Sequence, residues 1–134
     1  KGERMKYMVK PSRTENKLVI VMRKDLNMPV GKCIAQGGHA ILGVVNLIRN
    51  EGTPEQKQSM ADWDAGSFTK ITLAVDSEEK LLKIYEKAQE QGLPVRLIRD
   101  NGWTVFDGIP TLTCLGILGK SSEIDKVTKR LRLY

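Results

Sequence analysis

Short, wholly apolar runs alternate with longer stretches of helical repeat along this chain. Leu18-Val19-Ile20-Val21-Met22, after Lys17, is apolar throughout, the pattern of a strand covered on both faces. Asp25 to Gly31 reads as a loop, because Pro29 disfavours helix before it. From Lys32 to about Arg49 the repeat becomes helical. At about 100° per residue, Lys32, Gln36, His39, Gly43, Asn46 and Asn50 share one polar arc, with Ile34, Ile41, Val44, Val45 and Ile48 opposite. A lysine in the first helical turn opposes the macrodipole by up to about 1 kcal/mol. Gly37-Gly38 inside the helix costs about 1 kcal/mol each relative to Ala. Close approach of a ligand or backbone, or a tight helix–sheet contact, would explain the pair.

Further along, Gly52-Thr53-Pro54 breaks the helix, and Pro54 to Trp63 predicts a short second helix capped by Thr53. Lys70 to Val75 is a strand. Asp76 or Ser77, followed by Glu78-Glu79, opens a helix to about Gln91 with Leu81, Leu82, Ile84, Tyr85 and Ala88 as its apolar face, and Gly92 ends it. Pro94 to Ile98 predicts a third strand, Thr111 to Leu118 a fourth, and Ser121 to about Leu131 a last helix capped by Ser121 or Ser122. Strand and helix alternate as in parallel crossovers. Asp100 to Pro110 is too short for a helical crossover, which leaves the fourth strand free to run antiparallel.

A length of 134 residues suits one domain, expected over 17–134 and preceded by a flexible basic arm at 1–16. The net charge of +6 is unevenly spread: residues 1–24 hold eight Lys or Arg against two Glu, whereas 51–92 hold five basic against nine acidic side chains. A basic pole of this kind suits a polyanionic partner. No apolar run approaches the roughly 18 residues of a membrane span, so no membrane partner is expected. Cys33 and Cys114 lack disulfide spacing and read as free thiols of a cytoplasmic protein. With one histidine and no closely spaced cysteine pair, no metal or cofactor site is expected.

Ligands of such sheets bind at the carboxyl ends of the parallel strands. That rule brings the loop leading to Lys32 toward Asp100-Asn101-Gly102-Trp103-Thr104. Lys32 and Asp100, with Thr104 and His39 nearby, would form either a hydrolytic site or a surface ion pair worth less than about 1 kcal/mol. Other chemistries are poorly supported. A P-loop needs glycine where Leu26 stands and Ser or Thr where Cys33 stands. No dinucleotide fingerprint follows the first strand, and no serine lies near His39. Cys33, beside a lysine at a helix start, is a weak candidate nucleophile because it lies toward the apolar arc.

Several motifs, in order, resemble the type-2 peptidyl-tRNA hydrolase family. They are Arg23-x-Asp-Leu26, Gly31-Lys-x-x-Ala-Gln-x-x-His-Ala40, Trp63 with Gly66, Asp100-x-Gly-x-Thr104, Thr113 with Leu115-Gly116, Ile124-Asp-Lys-Val-Thr128 and Leu131-x-Leu-Tyr134. The resemblance implies a three-layer α/β/α fold with a four-stranded mixed sheet, commonly dimeric. It also implies metal-free hydrolysis of the ester joining a peptide to tRNA, with peptidyl-tRNA held on a basic surface. Carried over to matching positions, it makes Lys32, Asp100, Thr104 and Thr113 catalytic candidates. Gln36, His39, Gly102 and Trp103 become substrate-binding candidates.

In this reading Asp100 activates water, Lys32 stabilises the oxyanion or anchors a phosphate or ribose, and the two threonines donate hydrogen bonds. The chain departs from the family pattern at Gly37-Gly38, at Trp103 and Val105, and in a Phe106–Leu112 loop one residue longer than usual. Those departures keep open a weakly active or inactive RNA-binding module on the same fold. Trp103 would either stack on the terminal adenine or pack locally.

Overall fold

β1 (Asn16–Arg23) runs through the middle of the sheet, and its apolar run is buried from Leu18 to Met22 because helices cover both faces. The computed structural model describes residues 15–134. The arm expected at 1–16 therefore lies outside the described residues, apart from Glu15 and Asn16. After β1 come α1 (Val30–Glu51), α2 (Pro54–Ala65), β2 (Lys70–Val75), α3 (Glu78–Glu90), β3 (Val95–Asp100), β4 (Thr111–Lys120), α4 (Ser121–Thr128) and β5 (Arg132–Leu133).

The sheet order is β3-β4-β1-β2-β5. β1 and β2 are parallel, and β4 runs antiparallel to both β1 and β3, as the short connection after β3 requires. The sheet has five strands rather than four. The extra one, β5, is two residues long and pairs antiparallel with the edge of β2, too short to show a period in the sequence.

Two apolar layers flank the sheet. On one side α3 and α4 bury Leu81, Ile84, Ala88, Ile124 and Val127 against Val19, Val21, Leu115 and Ile117. On the other, α1 and α2 bury Ala40, Val44, Ile48 and Trp63 against Leu18, Ile20, Met22 and Leu118. Thr53 caps α2 through a reciprocal capping box with Gln56, satisfying two otherwise orphaned backbone donors. α4 departs from expectation: Ser121 is its first residue and Lys120 occupies the cap without a side-chain bond, while the Ser121 amide donates to the Glu15 carbonyl at 2.8 Å.

α1 also meets the sheet on an unexpected face. It buries Gln36, Gly37, Ala40, Val44 and Ile48, a line between the predicted polar and apolar arcs, and Ile34 is left 71% exposed. The close approach is made elsewhere than Gly37-Gly38. A Cβ on Gly116 of β4 would lie 2.6 Å from the Ala40 carbonyl, whereas one on Gly38 would meet nothing within 4 Å.

Candidate active site

The segment that starts α1 is fastened from below by Arg23. Its guanidinium grips Asp25 through Nε and Nη2 at 3.2 and 2.7 Å and donates from Nη1 to the Leu112 carbonyl at 3.0 Å. This ties the loop after β1 to the start of β4. Pro29 then sets the cap, and the helix begins at Val30, two residues earlier than predicted. Lys32 thus lies in the first turn, which contains no acidic residue. The counter-charge comes from across the cleft.

Lys32 Nζ donates to Asp100 Oδ1 at 2.7 Å and to Thr104 Oγ1 at 2.8 Å. Both charged side chains are only 13% exposed, which separates the pair from solvent-screened surface ion pairs. Gln36, one turn further along α1, donates from Nε2 to the same Asp100 oxygen at 3.3 Å. The Gly102 amide donates to Asp100 Oδ2 at 2.8 Å. The hydrogen bond from Lys32 holds the Asp100 carboxyl below its ordinary value; burial opposes this, and Gly102 and Gln36 reinforce it. Asp100 is therefore a carboxylate at neutral pH.

Thr113 enters the network through an irregularity in the sheet. Ile98 pairs with Cys114 but Arg99 with Leu112, so Thr113 is the extra residue of a bulge. Bulges re-aim side chains, and here Thr113 and Cys114 both reach Gln36. Thr113 Oγ1 donates to Gln36 Oε1 at 2.5 Å, and Cys114 Sγ to the Gln36 carbonyl at 3.4 Å. Thr113 is fully buried. Its hydroxyl orients the Gln36 amide toward Asp100 rather than facing the open cleft.

The loop after Asp100 is pinched shut at its base. The Gly108 amide donates to the Gly102 carbonyl at 2.7 Å and the Ile109 amide to the Phe106 carbonyl at 2.9 Å. Gly102 has φ +85°, and a Cβ there would fall 2.4 Å from the Ile109 carbonyl oxygen, so only glycine fits. Phe106 turns inward onto the α1-side core, its ring centroid 5.8 Å from Lys32 Nζ. In the sequence Phe106 is marked only as an aromatic residue in a polar, glycine-bearing loop. Trp103 is 84% exposed, so its ring does not pack locally.

His39 is exposed and makes no hydrogen bond to a described residue. It lines a shallow cleft of about 460 Å³ with Gln36, Arg96, Arg99 and Asp100. Cys33 faces away from the network, its Sγ 3.5 Å from the Tyr134 hydroxyl. Burial pushes the Cys114 thiol up to about 11. Among the described residues no three His, Cys, Asp or Glu side chains gather as a metal ion would need.

An ammonium, a carboxylate and a hydroxyl gathered at the carboxyl edge of a mixed α/β sheet are groups from which a hydrolytic centre can be built. Residues 16–134 match the family described as Peptidyl-tRNA hydrolase PTH2. The chain is 38% identical over 119 residues to a peptidyl-tRNA hydrolase of Aeropyrum pernix, covering 88% of this chain and 95% of that one. It is 38% identical over 118 residues to that of Methanocaldococcus jannaschii, covering 87% and 98%. A solved structure of an Agrobacterium tumefaciens protein of unknown function shares the fold, with a TM-score of 0.58 at 16% identity over 90% of this chain and 98% of that one. The chain belongs to the peptidyl-tRNA hydrolase family.

Proposed function

We propose that this chain hydrolyses the ester linking a peptide to tRNA, releasing both, at the Lys32–Asp100–Thr104 cleft. The observation that carries the reading is the convergence of Lys32 with Asp100 and Thr104, 68 and 72 residues away, on contacts of 2.7 and 2.8 Å in a chain of this family. The ionised Asp100 accepts a proton from the attacking water and aims it at the acyl carbon. As the tetrahedral oxyanion forms, Lys32 supplies the positive charge beside it. Thr104 accepts its hydrogen bond from Lys32, which leaves its own proton free to donate toward the departing ribose oxygen. Gln36 holds Asp100 in place and Thr113 holds Gln36, so Thr113 acts as a positioning residue. Gly102 fixes the second Asp100 oxygen, and His39 borders the substrate path. No step calls on a metal ion.

A basic surface on the same edge suits the nucleic acid. Ile98, Cys114, Met22, Ala74 and Arg132 form one row across the sheet. Lys24 and Asp100 therefore project beyond it on one side, two strand spacings or roughly 10 Å apart at about 4.8 Å per strand. Lys24, Lys80, Arg130 and Arg132 line a cavity of about 300 Å³ there. Only Lys80 of the four has an ion-pair partner among the described residues, Asp76 at 2.8 Å. These cations hold the phosphate backbone without reading bases.

No helix among the described residues is long and apolar enough to cross a membrane, and a substrate supplied by translation supports a cytoplasmic protein. A homodimer would cover the apolar hollow of about 680 Å³ lined by Ile34, Ile41, Leu133 and Tyr134. Sedimentation of wild type and Ile34→Glu tests that assignment: a monomer in both would remove it.

The decisive assay is release of tRNA from an N-acetylated aminoacyl-tRNA, in chelator, by wild type, Lys32→Ala and Asp100→Ala. Turnover by wild type and a loss of at least about 100-fold in each variant are expected. Equal rates in all three would overturn the assignment.

A further inference from the structure

Trp103 is the most exposed aromatic side chain among the described residues, at 84%, yet its backbone is tightly held. The loop is closed by the bonds at Gly102–Gly108 and Phe106–Ile109, 2.7 and 2.9 Å long, and pinned by the half-buried Phe106 packed against the α1-side core. A large apolar ring held rigidly in water has no packing role. It is also the immediate neighbour of Thr104, whose hydroxyl lies 2.8 Å from Lys32 Nζ.

We propose that the ring of Trp103 is the platform on which the 3′-terminal base of the tRNA stacks, fixing the ester against Lys32 and Asp100. The inference rests on the hydrolase reading and adds a binding contact to it. Consecutive Cα atoms lie about 3.8 Å apart, so a ring beside Thr104 is within one nucleoside's reach of the scissile bond. That bond joins the acyl carbon to an oxygen of the terminal ribose, and the base is attached to that same ribose.

The shape of the site selects a base over a peptide side chain. Discrimination among side chains needs an enclosing pocket, and an 84%-exposed ring has no walls. Stacking a planar base needs one open π-face and tolerates solvent at the rim. The cations at this edge of the sheet, Lys24, Arg130 and Arg132, suit the phosphates that follow.

The chain's second tryptophan makes the idea testable by fluorescence. Trp63 is buried, and its indole donates to the Thr69 carbonyl at 2.8 Å, so quenching by an added ligand reports Trp103. A CCA trinucleotide is titrated against wild type and Trp103→Phe, alongside the same trinucleotide with an abasic 3′ end. Saturable quenching by CCA, absent with the abasic end and absent in Trp103→Phe, is expected. This arm needs no turnover.

In the hydrolysis assay, Trp103→Ala should raise KM roughly tenfold, the scale of one lost base stack, with kcat changed less than about twofold because the reacting groups are untouched. Trp103→Phe should recover most of the affinity. Equal quenching by the two trinucleotides, or an unchanged KM in Trp103→Ala, overturns the proposal while leaving the hydrolase reading intact. A KM effect that follows the acyl group instead of the terminal base also overturns it, in favour of a peptide contact. A wild type that binds CCA through Trp103 but hydrolyses nothing would sink the hydrolase reading and not the stacking.

Discussion

The two faces of the sheet are covered by helices from the same chain and are built to opposite specifications. Against α3 and α4 the buried cluster is aliphatic, from Val19 and Leu81 to Ile117 and Val127, and the buried Thr128 of α4 bonds only to the Ile124 carbonyl of its own helix. Against α1 the buried surface admits Gln36 and Thr113, 1% and 0% exposed. There the helix has turned its polar margin onto the sheet and left Ile34 in solvent. The first face gains stability from apolar area alone. The second gives up some of that area to hold a hydrogen-bonded chain from Thr113 through Gln36 and Asp100 to Lys32, whose members lose value if any one is removed. Stability and chemistry are thus separated by the thickness of one sheet.

The sharpest way to break this contrast is to exchange the effects. Asp100→Asn should lower kcat by about 10² to 10⁴-fold while the thermal midpoint falls by only a few degrees. A collapse of the midpoint in step with activity would show that the network is structural. Leu81→Ala, on the opposite face, should cost about 2–5 kcal/mol of stability by opening a cavity, with kcat of the folded fraction unchanged. Denaturant melts and turnover of the same preparation measure both. Thr113→Val should sit between them. It leaves the Gln36 side-chain Oε1 without its donor, at about 1–3 kcal/mol, and loosens Asp100. Thr113→Ser should restore both stability and rate, and its failure to do so would remove the positioning role.

Acid should act through the same network. The folded pKa of Asp100 is depressed by Lys32, so its stabilisation is complete above the unfolded value of about 3.9 and disappears as pH falls through the lower folded one. The stability gap between wild type and Asp100→Asn should stay level above about pH 5 and close below about pH 4. A gap that closes near neutrality would contradict the depressed value. Smallest of all, in the isolated protomer Ile34→Ser should change stability by less than about 0.5 kcal/mol, because there the residue is 71% exposed.

Much of this arrangement is legible along the chain. The uninterrupted apolar run Leu18–Met22 gives the central strand, and the short Asp100–Pro110 connection gives the antiparallel β4. The carboxyl-end rule brings Lys32 toward Asp100 before any coordinate is known. Other features escape for physical reasons. Helical periodicity assigns arcs by polarity, so it puts Gln36 in water; only the partners Thr113 and Asp100, 77 and 64 residues away, make its burial affordable. Two residues of β5 show no repeat. Phe106 gains meaning from the lysine above it, and a single-residue bulge is invisible to a pattern of period two.

That bulge has an evolutionary corollary. Strike Thr113 from β4, and Leu112, Cys114, Leu115, Gly116 and Ile117 still alternate between the two helical layers. The extra residue therefore behaves as an insert whose side chain can be varied without disturbing its neighbours' register. A strand made this way would let the proposed reaction centre be retuned at one position while the interior keeps an unbroken pattern.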